Sequence, residues 1–202
     1  MCKYSQLAIT ITNVVGVKNM KKFQTGLTLL ELMVAVAIVG IIASIALWDS
    51  SDMLEENRAE NFLLELKRNI SFARSQAAST DEIVVVCPTG QGKIKNSKDT
   101  FNCNKKWDEN KIIVVFIDLD NDGHYNGATD TLLRVMEEIS DNDKLTFTGN
   151  ERRLRFNTSG RITTNPGDFV FCPNGGTENN KALTLSQSGT AFYAGDSALS
   201  CD

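Results

Sequence analysis

The chain has 202 residues, of which 42% are hydrophobic and only three are proline, so it is one folded domain with or without an appendage and not a disordered chain. Its net charge is −4; beyond Gly26 there are 17 basic against 25 acidic residues, or −8, because all four charges before that point are lysines. An acidic remainder speaks against nucleic-acid binding by bulk charge, which rests on neutralising phosphates.

Lys21 and Lys22 stand ahead of an apolar run from Leu27 to Leu47, 21 residues in which Glu31 alone is charged. About 20 residues span a bilayer as a helix, and the flanking lysines put the N-terminal end in the cytoplasm. A secretory signal cut after Ser44-Ile45-Ala46 is the other reading. Against it, the run exceeds the roughly 7–15 residues of an ordinary signal core and contains a carboxylate. Charge within hydrocarbon is costly unless paired, so Glu31 asks for a partner. Cys2 has no apolar segment before it and is not a lipid-attachment site; Met20 offers a natural start, which would make residues 1–19 a mis-assigned leader extension.

The stretch Lys21-Lys22-Phe23-Gln24-Thr25-Gly26, then Leu27-Thr28-Leu29-Leu30-Glu31-Leu32, resembles the class III signal of type IV pilins and pseudopilins. The resemblance implies a leader over residues 1–26, removed after Gly26 on the cytoplasmic side by prepilin peptidase, which then methylates the new amine of Leu27. Glu31 becomes the fifth residue, where the family's carboxylate meets the N-terminal amine of a neighbouring subunit during filament growth. Leu27 departs from the usual phenylalanine. Residues 27–48 form the membrane or filament-core helix.

From Leu27 to Thr80 there is no proline and one glycine, Gly40. Past Trp48 the apolar residues Leu54, Phe62, Leu63, Leu66, Ile70, Ala73 and Ala77 recur at helical spacing, with Glu56, Arg58, Glu60, Glu65, Lys67 and Arg68 opposite. Residues 49–80 therefore continue the helix as an amphipathic half that packs on a sheet. Two helices broken at Asp49-Ser50-Ser51-Asp52 are the alternative, since residues that cap helices cluster there.

From Thr80 onward the period becomes two. Expected strands are Glu82–Cys87, Lys111–Asp118, Thr131–Glu137, Lys144–Thr148, Arg152–Asn157, Asp168–Cys172, Ala182–Gln187 and Thr190–Ala194, separated by Gly, Asn, Asp and Pro clusters. A long helix followed by short strands gives an α+β fold with antiparallel sheets, its β-rich head over residues 81–202. Four cysteines remain past the leader: Cys87, Cys103, Cys172 and Cys201. Three connectivities are open; Cys87–Cys103 and Cys172–Cys201 each close a local excursion and are preferred. A metal centre is not expected, with no Cys-x-x-Cys and one histidine.

Cys87-Pro88, Cys103, Trp107, the strand ending Phe116-Ile117-Asp118, Asp120-Asn121-Asp122-Gly123, Phe156-Asn157-Thr158-Ser159-Gly160-Arg161 and Phe169-Val170-Phe171-Cys172 together resemble the H-type minor pilins and pseudopilins (FimT, FimU and GspH). Asn110 departs from the glycine common at that place. The resemblance implies a type IV pilin-like fold and a FimU-like minor pilin, single-pass in the bacterial inner membrane with a periplasmic head. It would pass into a pilus at the cell surface, in a tip complex that primes assembly. Its partners would be other minor pilins, the major pilin, prepilin peptidase and the inner-membrane assembly machinery. The same features fit an H-type pseudopilin of a type II secretion system, or a FimT-like pilin that binds DNA in transformation. For the last, the family's late Gly-Arg-x-Arg is absent from Ser186–Phe192, and Arg152, Arg153, Arg155 and Arg161 are the remaining candidates. Arg153 and Arg155 share one strand face, with Leu154 and Phe156 on the other. A solvated sheet face accounts for them equally, and nucleic acid is not the expected partner.

Asp118, Asp120 and Asp122 before Gly123 resemble the start of a calcium loop, but the twelfth position is Thr129; Asp130 would serve only in a loop one residue longer. A polar turn is the plainer reading. His124, the lone histidine, has no evident nucleophile or acidic dyad beside it, so neither an enzyme nor a cofactor is expected.

Overall fold

A computed structural model describes residues 28–94, 99–108 and 110–201, apart from the side chains of 46–51. The leader, Gly26 and Leu27 lie outside the described residues. The chain divides into two compact units between Ser44 and Ile45, and helix α1 (Leu29–Thr80) is one helix of 52 residues, not two.

In the first unit α1 is apolar or small on every side apart from Glu31, and its side chains from Leu29 to Ser44 are exposed. Thr28 caps it: Oγ1 accepts the Glu31 backbone N–H at 3.2 Å, satisfying one of the four N–H groups that a helix start leaves unpaired. Among the described residues no helix is long and apolar enough to cross a membrane. The run that the sequence offers for that purpose starts at Leu27 and ends at Leu47, both beyond the described side chains.

The described residues of the second unit form ten strands: β1 (Val84–Gly90), β2 (Thr100–Phe101), β3 (Lys111–Ile117), β4 (Tyr125–Asn126), β5 (Thr131–Val135), β6 (Lys144–Phe147), β7 (Leu154–Phe156), β8 (Gly167–Cys172), β9 (Lys181–Leu185) and β10 (Ala191–Asp196). They form two four-stranded antiparallel sheets, in the orders β5-β3-β1-β7 and β10-β9-β8-β6, and a small ribbon β2-β4. All eight expected strands are present; the ribbon, two residues per strand, is too short for periodicity to show.

Ala59, Leu63, Leu66, Ile70, Ala73 and Ala77 of α1 are fully buried in one cluster with Val84 and Val86 of β1, Phe156 of β7 and Phe169 and Phe171 of β8. The helix thus packs against residues of both sheets with small and branched side chains one turn apart. Leu54, expected on this face, is instead exposed, and Ala59 opens the buried stripe. Glu56 and Arg58 are exposed, as expected, and each still reaches a residue of the head. Arg58 pairs with the buried Asp143 at 2.9 Å, and Glu56 accepts a hydrogen bond from Lys181.

Strands β1 and β3 depart from the two-residue period, and both are buried on both faces. Val84 and Val86 face the helix; Val85 and Cys87 face a second cluster with Phe101, Cys103, Val114, Phe116 and Tyr125, roofed by the ribbon. This explains why their sequences, Val-Val-Val-Cys and Ile-Ile-Val-Val-Phe, run apolar without alternation. Pro88 sits where β1 has already parted from β7, so its missing N–H costs no ladder bond on that side. Disulfides join Cys87 to Cys103 and Cys172 to Cys201.

Candidate functional site

Two places carry the polar chemistry singled out above. The first is the start of α1. Glu31 is exposed, the third residue of the helix, and its N–H is held by Thr28. Thr28 and Glu31 stand in the spacing of a capping box, a signal that the sequence reading passed over. A carboxylate in the first turn also complements the positive helix N-terminus. Around it the side chains of Leu29, Leu30, Leu32, Met33 and Val34 are all more than half exposed. An exposed apolar surface of that extent marks a place of contact with lipid or protein.

The second is the loop from Asp118 to Asp130, between β3 and β5. Asp118, at the end of β3, is 1% exposed, and Asp130, just before β5, is 7% exposed. The Asp118 Oδ2 atom accepts the Gly123 N–H at 3.1 Å, which a φ of +76° at Gly123 turns inward. Asp130 accepts the N–H groups of Leu119 (3.0 Å) and Asn126 (2.7 Å) on its two oxygens. Asp120 accepts the Asp122 N–H and the Thr129 hydroxyl. Asp122 instead turns to the His124 N–H at 2.6 Å. Oxygens of Asp118, Asp120 and Asp130 lie within 4.8 Å of one another, so Asp130 completes the cluster and Asp122 does not. Asp130 stands one place past the twelfth position of a standard calcium loop, and the fold of this loop returns it to Asp118. Burial raises the Asp118 pKa above the usual carboxylate value. The Gly123 N–H and the Arg155 guanidinium offset part of that, while Asp130 and Asp122 add to it.

The four candidate arginines do not make one free basic patch. Arg153 donates to the Gly123 carbonyl and Arg155 lies with its Nε 4.0 Å from Asp118 Oδ2. They share a face, as strand geometry requires, and that face is turned to the acidic loop. Arg152 and Arg161 are exposed. Asn110 adopts φ +57°, the left-handed region that glycine enters freely and asparagine tolerates, so its departure from glycine leaves the turn into β3 intact. Trp107 packs edge-on to Phe169 and donates from Nε1 to the Glu151 carbonyl at 2.8 Å.

Phe156–Arg161 is a turn in which Asn157 Oδ1 accepts the N–H groups of Ser159 and Arg161. Gly160 (φ +70°) lets that turn approach α1, and Gly189 (φ +78°) lets the next turn approach Gly160. A Cβ on Gly160 would stand 3.2 Å from the Arg74 carbonyl, and one on Gly189 would stand 2.6 Å from the Gly160 carbonyl.

A family model described as "Type II transport protein GspH" matches residues 64–189, and one described as "Prokaryotic N-terminal methylation motif" matches residues 21–47. Two solved structures are similar, both of the type IV minor pilin FimU of Pseudomonas aeruginosa strain PAO1, in different crystal forms. One is 19% identical with a TM-score of 0.51, over 73% of this chain and 98% of that one. The other is 19% identical with a TM-score of 0.49, over 71% and 99%. At that identity the first likeness is one of fold. No curated protein matches the chain.

Proposed function

The chain belongs to the GspH family of type II transport proteins, and from that membership we propose that it acts as a FimU-like minor pilin of a type IV pilus. The observation that carries the reading is the order of two segments in one chain. A methylation motif over residues 21–47 stands directly ahead of a GspH head over residues 64–189. Cleavage after Gly26 leaves Leu27 as the methylated first residue and places Glu31 fifth, one helical turn from the new amine. Within a filament core of low dielectric, an amine on one subunit and Glu31 on the next attract far more strongly than in water. The exposed apolar start of α1 supplies the packing surface, first in the inner membrane and then along the filament axis. The head adds side contacts, in a tip complex with other minor pilins that primes the major pilin. The protein's role is assembly and not catalysis.

The family's description as a transport protein favours a second reading, the H-type minor pseudopilin of a type II secretion system. Mass spectrometry of the protein's N-terminus in sheared surface filaments and in cell envelopes separates the two. N-methylated Leu27 in the sheared fraction is the outcome expected of a minor pilin. The same terminus confined to the envelope supports the pseudopilin, and a mature chain beginning at Leu47 overturns both.

A further inference from the structure

The loop between β3 and β5 carries more buried negative charge than its own hydrogen bonds satisfy. Asp118 is shut from solvent, and its Oδ1 has no hydrogen-bond partner. Such an atom costs the full desolvation of a carboxylate oxygen, and native structures leave few of them without a reason. Its neighbours increase the difficulty: Asp130 is also buried, and Asp120 brings a third carboxylate to the same point. The cation at hand does not answer it. Arg155 approaches only the other oxygen, at 4.0 Å, and its own Nε and Nη2 are buried without hydrogen-bond partners. Arg153 spends its guanidinium on the Gly123 carbonyl.

We propose that Asp118, Asp120 and Asp130 hold a calcium ion that locks the β3–β5 loop of the head. The ligand atoms are hard carboxylate oxygens, which suit calcium and not the softer transition metals. Their mutual separations of up to 4.8 Å fit a shell with bonds of about 2.3–2.6 Å, in which oxygens on opposite sides stand roughly 4.6–5.2 Å apart. Magnesium draws its ligands in to about 2.0–2.1 Å and demands a regular octahedron. Charge balances as well: three carboxylates and Arg155 sum to −2, which one divalent cation neutralises. Asp130 and Asp118 accept backbone N–H groups with single lone pairs, so each keeps acceptor capacity for the ion. Waters complete the six to eight ligands that calcium takes. The consequence is local. The ion ties the end of β3 to the start of β5 and fixes the ribbon strand β4, which lies between them and roofs the second core cluster.

The test uses the full-length protein in detergent micelles, stripped with a chelator and dialysed. Calcium chloride is then added to about 10 mM, roughly 100-fold above a Kd of about 10⁻⁴ M, the range of weak extracellular sites, with magnesium chloride at equal ionic strength as the reference. Calcium raises Tm by about 5–10 °C over the magnesium sample, and calorimetric titration gives one ion per chain. Asp120→Asn, at an exposed position whose loss leaves the fold intact in chelator, weakens calcium binding at least tenfold. Asp122→Asn, outside the cluster, leaves it within about twofold. Equal Tm in calcium and magnesium overturns the proposal. So does an Asp120→Asn protein that binds calcium as tightly as the parent.

Discussion

Single residues in this protein are set by backbone geometry as often as by chemistry. Gly189 combines a left-handed φ of +78° with a β-carbon position 2.6 Å from the Gly160 carbonyl. Gly189→Ala therefore meets both backbone strain and overlap, and costs about 2–4 kcal/mol in a denaturant titration. Asn110 has the same backbone region without the crowding, which is why a side chain is tolerated there. Lys181 shows the electrostatic counterpart. Its side chain is 6% exposed, and its ammonium is shared by Asp196 and Glu56, whose hydrogen bonds raise its pKa above the ordinary 10.5 against the opposing effect of burial. A lysine whose pKa rises on folding stabilises fully below its unfolded value and loses that contribution as pH climbs through the folded one. Since both carboxylates are half or more exposed, screening holds the effect to about 1 kcal/mol. Lys181→Met should cost that much from pH 7 to 9, and the difference from the parent should shrink above about pH 10.5 when unfolding is followed as a function of pH.

At the scale of elements, the second half of α1 is held by a buried stripe and by polar clasps at its edge. Arg58 meets Asp143 through two nitrogens at 2.9 Å, and Asp143 also accepts the Asn174 N–H at 3.0 Å. Asp143 is 1% exposed while the Arg58 side chain is 44% exposed. Removing the arginine strands a buried carboxylate, at about 2–3 kcal/mol. Removing both partners costs less than the two single changes summed. A double-mutant cycle of Arg58→Ala and Asp143→Ala by thermal denaturation, with a coupling of about 1–2 kcal/mol, is the outcome expected. The disulfides add covalent ties to the head. They close loops of 16 and 29 residues, worth about 3 and about 3.6 kcal/mol in the chain-entropy view. Cys172–Cys201 ties the C-terminal residues to β8, and Cys87–Cys103 ties the segment before β3 to β1.

At the scale of the whole molecule, the proposed pilin role would make assembly rest on a charge that is stabilising only in company. Glu31 has no need of a partner while water can reach it; in lipid or a filament core it does. Glu31→Gln keeps the Thr28 cap, which uses the backbone N–H of residue 31, and keeps nearly the same size. The variant should reach the membrane at parental levels yet fall at least tenfold in sheared filaments, as quantified by immunoblot of both fractions. Retention at parental levels in the filaments would remove the charge from the assembly role.

The sequence by itself determined the class of molecule and the order of its parts. Glycine, five residues to a glutamate and an apolar run are local facts, and so are the helical spacing from Leu63 to Ala77 and the apolar tracts of β1 and β3. Short-range chemistry dictates helix, strand and turn at such places, and eight strands were legible for that reason. Only the tertiary structure decided which faces those elements present. It buried Ala59 and left Leu54 exposed, covered β1 on both sides, and turned Arg153 and Arg155 onto the acidic loop. It also exchanged Asp122 for Asp130 in the carboxylate cluster. Each of these depends on where a chain returns after a loop, and spacing along a sequence does not encode distance across a turn.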